Sequence, residues 1–442
     1  MALNWLNRRS RNTQTPQPES LVLSGGGSRA SFHIGALRYL YDQVNIKPDR
    51  IVGTSAGSIV AAIMAQSLDP QVQTEHLDEL EQLWLTMDGP QEMYVEQAWF
   101  SRLRGQWADI AALLPADDKP TDKVIEATGD PMELVQHAMA DDPSLDVNAG
   151  VTLLWRLLTA LPRIGRAGAG LAASLQGAER ASSAFRPGPI VSRLLFESTF
   201  QPERVASSGV RLRICFVDLN SGDLRYMRED GVIVDNDDRP IDNQRRDLTL
   251  GVWASCALPG VFRPVKIGNE VYVDGGVRQN TPVEMAVRNL GAVKPYVIAA
   301  SPPGSDHAEF TNKDIVAVML RVSSLSVDET IRNQIMLAQQ AGAVIIQPRV
   351  DVHNALTVEP ALLRINRDYG WTRAAEEVTK APGSLRDIND AIVNARCEWA
   401  GLVKQDANAD TAGLQARLTG LLAQADSTLL PPGHETWAEH LI

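Results

Sequence analysis

From residue 20 onward the hydrophobic positions fall alternately into short apolar runs and longer helical repeats. Leu21 to Ser24 forms the first run, three glycines follow, and Phe32, Ala36, Leu37, Leu40, Tyr41 and Val44 then recur at three- and four-residue spacings. This pattern predicts a strand, a tight turn and a helix. After Lys47-Pro48-Asp49 the plan repeats, with Arg50 to Thr54 as strand, Ser55 at the turn and Ala56 to Gln66 as helix. Two successive β-turn-α units imply a parallel sheet with helices on its faces.

Further along, Leu68 to Arg186 is mostly helical in period but broken by Pro90, Pro115, Pro120, Pro131, Pro143 and Pro162, and it reads as an inserted helical region. Within it, Val151 to Ala178 combines Leu and Trp with Arg156, Arg163 and Arg166 and has no acid. Such a segment lies on an anionic membrane surface, acts as a lid, or packs as a plain helical hairpin. Strand signals return at Leu212 to Val217, and Asp218 to Asp223 supplies a turn before Leu224 to Met227. Pro264 to Ile267 and Glu270 to Val273 flank Gly268-Asn269 as a hairpin, and the second run ends directly in Asp274-Gly275-Gly276. Thr281-Pro282-Val283-Glu284 reads as a helix start with a Thr cap, Pro at the first helical position and Glu in the capping-box place. Strands are expected at Tyr296 to Ala300 and Ala343 to Gln347, with a helix over Asn312 to Ala341 between them and a helical tail from Leu385.

Composition narrows the function classes. With 44% hydrophobic and 22% charged residues, the 442-residue chain can build a substantial core. Acidic residues outnumber basic ones, 54 against 42, so a sheath of phosphates repels it on balance and nucleic acid is not expected as a partner. Cys215, Cys256 and Cys397 have neither CxxC nor metal-ligand spacing, which argues against zinc and a disulfide framework. The basic N-terminus lacks the apolar run of a secretory signal. Ile51 to Leu68 carries no charge, but its Gly, Thr, Ser and Gln residues divide it into strand and helix rather than a membrane span. A cytoplasmic protein is expected, with no signal peptide or transmembrane helix.

Gly53-Thr54-Ser55-Ala56-Gly57 matches G-x-S-x-G, the nucleophile elbow, with a strand before it and a helix after. At so sharp a turn the serine backbone is strained, and Gly53 and Gly57 must be small so that strand and helix can approach. The hydroxyl projects at a helix N-terminus, where free amides favour developing negative charge. Alone, the pentapeptide equally describes a capping serine, so its neighbours decide. Ser24-Gly25-Gly26-Gly27-Ser28-Arg29-Ala30 closes the adjoining βα unit at the carboxyl edge of the same sheet, and its amides can form an oxyanion hole. Gly25-x-Gly27-x-x-Ala30 also matches a dinucleotide fingerprint. That use needs an acid at the end of the second strand, where Thr54-Ser55 stands, and Asp49 is at the wrong end.

A serine nucleophile needs a base. Of the seven histidines, His307, on a loop after a strand, best suits the Ser, acid, His order of an α/β-hydrolase, while His33 reads as a packed or capping helix residue. Asp274 is the stronger candidate, because a strand end places it and two glycines free it. An ordinary aspartate, with a pKa of about 3.9, is a feeble base, so this role requires desolvation to raise the value and hydrogen bonds to hold the charge. The alternative is a plain Asp-Gly turn acid.

Together these residues resemble the patatin-like phospholipase family, acyl hydrolases with a Ser-Asp dyad in place of a triad. LVLSGGGSRASFHIGAL looks like its glycine-rich oxyanion block, VGTSAGSIVA like its serine elbow, ASCALPGVFRPV like its block ahead of the acid, and VYVDGGVRQNTPVEMA like its Asp-Gly-Gly block. The resemblance implies Ser55 as nucleophile, Asp274 as base, and Gly25, Gly26, Gly27 and Arg29 shaping the oxyanion site. Gly53 and Gly57 would support the elbow, and Gly275 and Gly276 the acid loop. Ala30 departs from the family's usual Gly and adds a methyl near the turn. The resemblance covers Ser20 to Trp371, less the insertion.

The resulting expectation is a three-layer α/β/α fold with a mainly parallel central sheet. A lead-in over 1–19 precedes a catalytic domain over 20–375, with its helical insertion at 68–186, and a helical C-terminal extension follows over 376–442. The expected activity is lipid acyl hydrolysis of phospholipase A or lysophospholipase type through an acyl-serine. It needs no metal or organic cofactor, acts on phospholipid or another acyl lipid, and allows peripheral membrane contact through 151–178. A Ser-His-Asp esterase or thioesterase and a non-catalytic lipid-binding protein remain as alternatives.

Overall fold

The short apolar runs of the sequence form strands, joined by further short strands that the sequence pattern does not mark: β1 (Glu19–Leu23), β2 (Pro48–Thr54), β3 (Tyr94–Glu96), β4 (Phe185–Pro187), β5 (Arg211–Asp218), β6 (Leu224–Arg228), β7 (Val232–Val234), β8 (Pro240–Arg245), β9 (Val265–Ile267), β10 (Glu270–Asp274), β11 (Tyr296–Ile298) and β12 (Val344–Ile346). The computed structural model describes residues 19–98, 101, 183, 185–195, 199–304 and 329–440. The basic apolar segment from Val151 to Ala178 and His307 lie outside them. So does the expected Asn312–Ala341 helix up to residue 328; residues 329–340 are helical.

β3 and β4 form a small antiparallel ribbon, and the other ten strands among the described residues make one sheet. The parallel arrangement implied by the βα repeats holds for β12-β11-β1-β2-β5, the half that carries the glycine turns. Beyond β5 the sheet becomes antiparallel through β6, β7 and β8, and the β9–β10 hairpin also joins β5 in the antiparallel sense, so the sheet as a whole is mixed. The cause is local, since the tight turn from Asp218 to Asp223 is too short for a crossover and can only send the chain back antiparallel.

The helices are α1 (Ala30–Tyr39), α2 (Ala56–Met64), α3 (Pro70–Leu85), α4 (Pro189–Leu195), α5 (Pro202–Ser208), α6 (Leu248–Ser255), α7 (Pro360–Thr379), α8 (Gly383–Gln405) and α9 (Ala412–Leu422). Strand residues alternate between two apolar layers. Leu21, Leu23, Ile51, Ile214 and Phe216 pack with α1, α2, α3 and α7, whereas Val22, Val52 and Cys215 pack with Val283, Met285 and Ala338 on the opposite face. Burial on both faces explains why these strands read as unbroken apolar runs.

α1 and α7 cross with almost no side chain between them. A Cβ on Gly35 would lie 1.7 Å from the Arg367 carbonyl oxygen, and one on Gly370 would lie 2.1 Å from that of Phe32. α7 runs past residue 375, the expected domain boundary, and is tied to the C-terminal extension by Arg396 of α8. That guanidinium sits 2.9 Å from Asp368 and 3.9 Å from the centroid of the Trp437 ring. Among the described residues no helix is long and apolar enough to cross a membrane.

One expected cap is not formed. The Thr281 N–H, which a capping box would give to Glu284, donates instead to Gln334 Oε1 at 2.7 Å, and Glu284 pairs with Arg288. The buried Gln334 amide is held across from this turn, and it takes the donor first.

The α1–α7 crossing makes a test by substitution. Gly35→Ala is expected to destabilise by about 3 kcal/mol, at the upper end of overpacking costs. Gly401→Ala, on an exposed stretch of α8 with nothing within 4 Å, is expected to stabilise by up to ~1 kcal/mol. Urea midpoints for the two variants should move in opposite directions, and a shared direction would contradict the packing described.

Candidate active site

Two strands end against each other on one edge of β5. On the edge away from β6, β5 pairs first with β2, Thr54 opposite Cys215, and then with β10, Asp274 opposite Phe216. β2 runs up this edge and β10 runs down it, so the residue after Thr54 meets the last residue of β10. Ser55 and Asp274, 219 positions apart in sequence, are thereby joined, with Ser55 Oγ donating to Asp274 Oδ2 at 2.6 Å.

Ser55 has φ 53° and ψ −132°, a left-handed conformation that costs an ordinary residue on the order of 1–3 kcal/mol. Small neighbours make it reachable. A Cβ on Gly57 would lie 2.3 Å from the Ser24 carbonyl oxygen, and one on Gly53 would lie 2.5 Å from that of Gly57. The Ser55 carbonyl is held by Ser58, whose N–H and Oγ donate to it at 2.7 and 2.6 Å.

Asp274 is 2% exposed. Burial pushes its carboxyl up to about 6, against the pull of the hydrogen bonds from Ser55 and from the Gly276 N–H, which lies 2.7 Å from Oδ1. The two opposed effects leave a group that is charged at neutral pH yet far more basic than a solvated aspartate. Gly275 is needed for the approach, since a Cβ there would lie 2.6 Å from the Cys215 carbonyl oxygen.

The three glycines of the first turn differ in what they offer. Gly25 was expected to supply an amide to an oxyanion, but its N–H donates to the Asn280 carbonyl at 2.9 Å and is engaged. The Gly26 and Gly27 amides have no hydrogen-bond partner among the described residues. Gly27 has φ 55°, and a Cβ there would lie 2.2 Å from the Ala355 carbonyl oxygen. Ala30, where the family pattern has Gly, has φ −61° and accommodates its methyl without strain.

Arg29 works from behind this turn. Its Nε donates to the His353 carbonyl at 2.6 Å, Nη1 to Ser301 Oγ at 3.0 Å, and Nη2 pairs with Asp351. These bonds fasten the stretch carrying Ala355, whose carbonyl accepts the Ser28 N–H at 2.8 Å. The guanidinium is thus linked to the glycine loop through the 351–355 stretch.

No histidine among the described residues is bonded to Ser55 or Asp274. His33 is fully buried in α1, and burial pushes its imidazole down to about 4. His353 is likewise pushed down to about 4, with Nδ1 2.9 Å from the Asn354 carbonyl oxygen.

Three contributors escape a reading by motif. Ser255 accepts the Ser55 N–H, the backbone of 353–355 seats the glycine turn, and Asn280 brings its side chain to the junction of the two loops. A Cβ on Gly25 would lie 2.3 Å from Asn280 Oδ1 and 3.2 Å from Ser55 Cβ, while one on Gly276 would lie 3.2 Å from the same Oδ1. Asn280 and Ser255 fall inside quoted sequence blocks but carry no spacing signal of their own.

A strained serine bonded to a buried carboxylate, beside unpaired glycine amides, is the equipment of covalent acyl transfer. The family model for patatin-like phospholipases matches residues 21–287, a stretch that includes both Ser55 and Asp274. The chain belongs to the patatin-like phospholipase family. A patatin-like phospholipase domain-containing protein of Aspergillus terreus is 43% identical over 53 residues, which span 12% of this chain and only 7% of that protein. Among solved structures, VipD from Legionella pneumophila aligns over 92% of this chain and 80% of its own at 14% identity, with a TM-score of 0.38. The ExoU–SpcU complex of the Pseudomonas aeruginosa type III secretion system aligns over 96% and 69% at 16% identity, with a TM-score of 0.24.

The raised carboxyl of Asp274 carries a stability cost with a defined sign. Its folded value of about 6 lies above the ordinary 3.8, so its contribution to stability is full below about 3.8 and is lost as pH rises through about 6. Asp274→Asn is expected to exceed the wild type in stability at about pH 8 by on the order of 2–3 kcal/mol, with the gap closing below about pH 4. Urea denaturation at the two pH values measures this, and a variant no more stable than wild type at the higher pH would contradict it.

Proposed function

We propose that this protein is a lipid acyl hydrolase of phospholipase A or lysophospholipase type, working through an acyl-serine. The supporting observation is the 2.6 Å bond from Ser55, on its strained turn, to the buried Asp274. Asp274 takes the Ser55 proton as Oγ attacks the ester carbonyl carbon. The tetrahedral oxyanion falls to the amides of Gly26 and Gly27, where each donor is worth about 2.7–4 kcal/mol of barrier. Collapse of the intermediate breaks the ester bond, and Asp274 returns the proton to the leaving alcohol. Water, deprotonated by the same carboxylate, then attacks the acyl-serine; collapse of that intermediate releases the fatty acid as Asp274 returns the proton to the departing Ser55 Oγ. Every proton passes through one carboxylate, so the cycle needs no histidine and no cofactor. A cytoplasmic setting with peripheral membrane contact through 151–178 completes the proposal.

The test is covalent labelling by a fluorophosphonate probe together with fatty-acid release from mixed phospholipid vesicles. Ser55→Ala and Asp274→Asn should each lose at least ~10³-fold in both, and His307→Ala should stay within about threefold of wild type. Loss of both activities in a folded His307→Ala would instead support a Ser-His-Asp hydrolase. Reversing the charges of Arg156, Arg163 and Arg166 should weaken partition onto anionic vesicles, and unchanged partition would remove the membrane part.

A further inference from the structure

α6 ends at Ser255, and the turn that follows touches both members of the dyad. Ser255 is fully buried; its Oγ accepts the Ser55 N–H at 2.9 Å and donates its own proton to the Cys215 carbonyl at 2.5 Å. Two residues on, the Ala257 carbonyl accepts the Asp274 N–H at 3.0 Å. The backbones of Ser55 and Asp274 thus hang from one three-residue stretch, which is itself fastened to β5 at Cys215, the residue opposite Thr54.

The sheet alone does not complete this arrangement. The β2 ladder stops at Thr54, so no strand partner fixes the amide of Ser55. A hydroxyl has a single proton, and that of Ser255 is committed to Cys215, so a lone pair is left to receive the Ser55 N–H. The direction of the bond is therefore fixed, and the nucleophile's amide is withdrawn from any oxyanion.

We infer that Ser255 is a positioning residue, and that the Ser255–Ala257 turn sets the distance and angle at which Ser55 Oγ meets Asp274. The kinetic consequence rests on the hydrolase reading, whereas the clamp on the Ser55 amide does not. Misplacement of a reacting group by about 1 Å costs up to ~100-fold in rate without affecting ground-state binding of a remote acyl chain.

Three readouts on the full-length protein test this. In Ser255→Ala, fluorophosphonate labelling and kcat should fall on the order of 10–100-fold with KM within about twofold of wild type. Ser255→Thr, which keeps the hydroxyl, should recover most of the loss. Hydrogen exchange at the Ser55 amide should accelerate on the order of tenfold or more in Ser255→Ala. Should that variant not fold, Ser255→Cys carries the same test with a weaker acceptor. Wild-type labelling rates in a folded Ser255→Ala, or an unchanged Ser55 amide, would overturn the inference. A wild-type protein that never labels would overturn the hydrolase reading instead, and the exchange measurement, which needs no turnover, would still decide the clamp.

Discussion

The site depends on how one edge of β5 is shared. β2 occupies it up to Cys215 and β10 takes over from Phe216, so two strands of opposite direction end face to face with no residue of β5 between them. A shift of one residue in either register would turn Asp274 or Thr54 to the other face of the sheet and separate Ser55 from its partner. Register in turn is pinned by burial on both faces, because alternate residues of β1, β2 and β5 pack into apolar layers on opposite sides of the sheet. The Ser55–Asp274 distance is thus a property of the core.

Within that frame opposed forces act on a single carboxylate, on which the proposed chemistry rests. Removal from water raises the Asp274 carboxyl, and the bonds from Ser55 and Gly276 hold it down, leaving it at about 6. A drier pocket without those bonds would protonate this carboxylate near neutral pH, while a solvated one would leave it too weak for the proton transfer proposed above. The glycines serve the same end, for they let bare backbone reach into a space that side chains would fill. Such sites store strain and desolvation that the surrounding core must offset.

Much of this was legible in the sequence, for identifiable reasons. Short apolar runs and glycine turns located β1, β2, β5 and β10, and the glycines at 53, 57 and 275 stand where backbone passes close to backbone. The spacing of the elbow pointed to Ser55 and the strand-end Asp-Gly-Gly to Asp274, two residues that the fold brings within hydrogen-bond distance. Contacts made by main-chain atoms were not legible, because no residue type announces them. The engagement of the Gly25 amide by Asn280, the seat provided by Ala355 and the turning of Arg29 toward His353 and Asp351 all depend on loops that meet only in three dimensions. The antiparallel half of the sheet was written in a six-residue turn whose length forbids a crossover. The Thr281 cap failed because Gln334, distant in sequence, reaches the same donor.

The pH dependence of kcat/KM on a phospholipid substrate probes the Ser55–Asp274 pair most directly, since it reports the ionisation of the free enzyme's base. A dyad run by Asp274 should show a rate that rises with pH through a single inflection near about 6 and then levels. That inflection should persist in His307→Ala. An inflection that vanishes in His307→Ala, or that survives unchanged in Asp274→Asn, would contradict the assignment of Asp274 as the base.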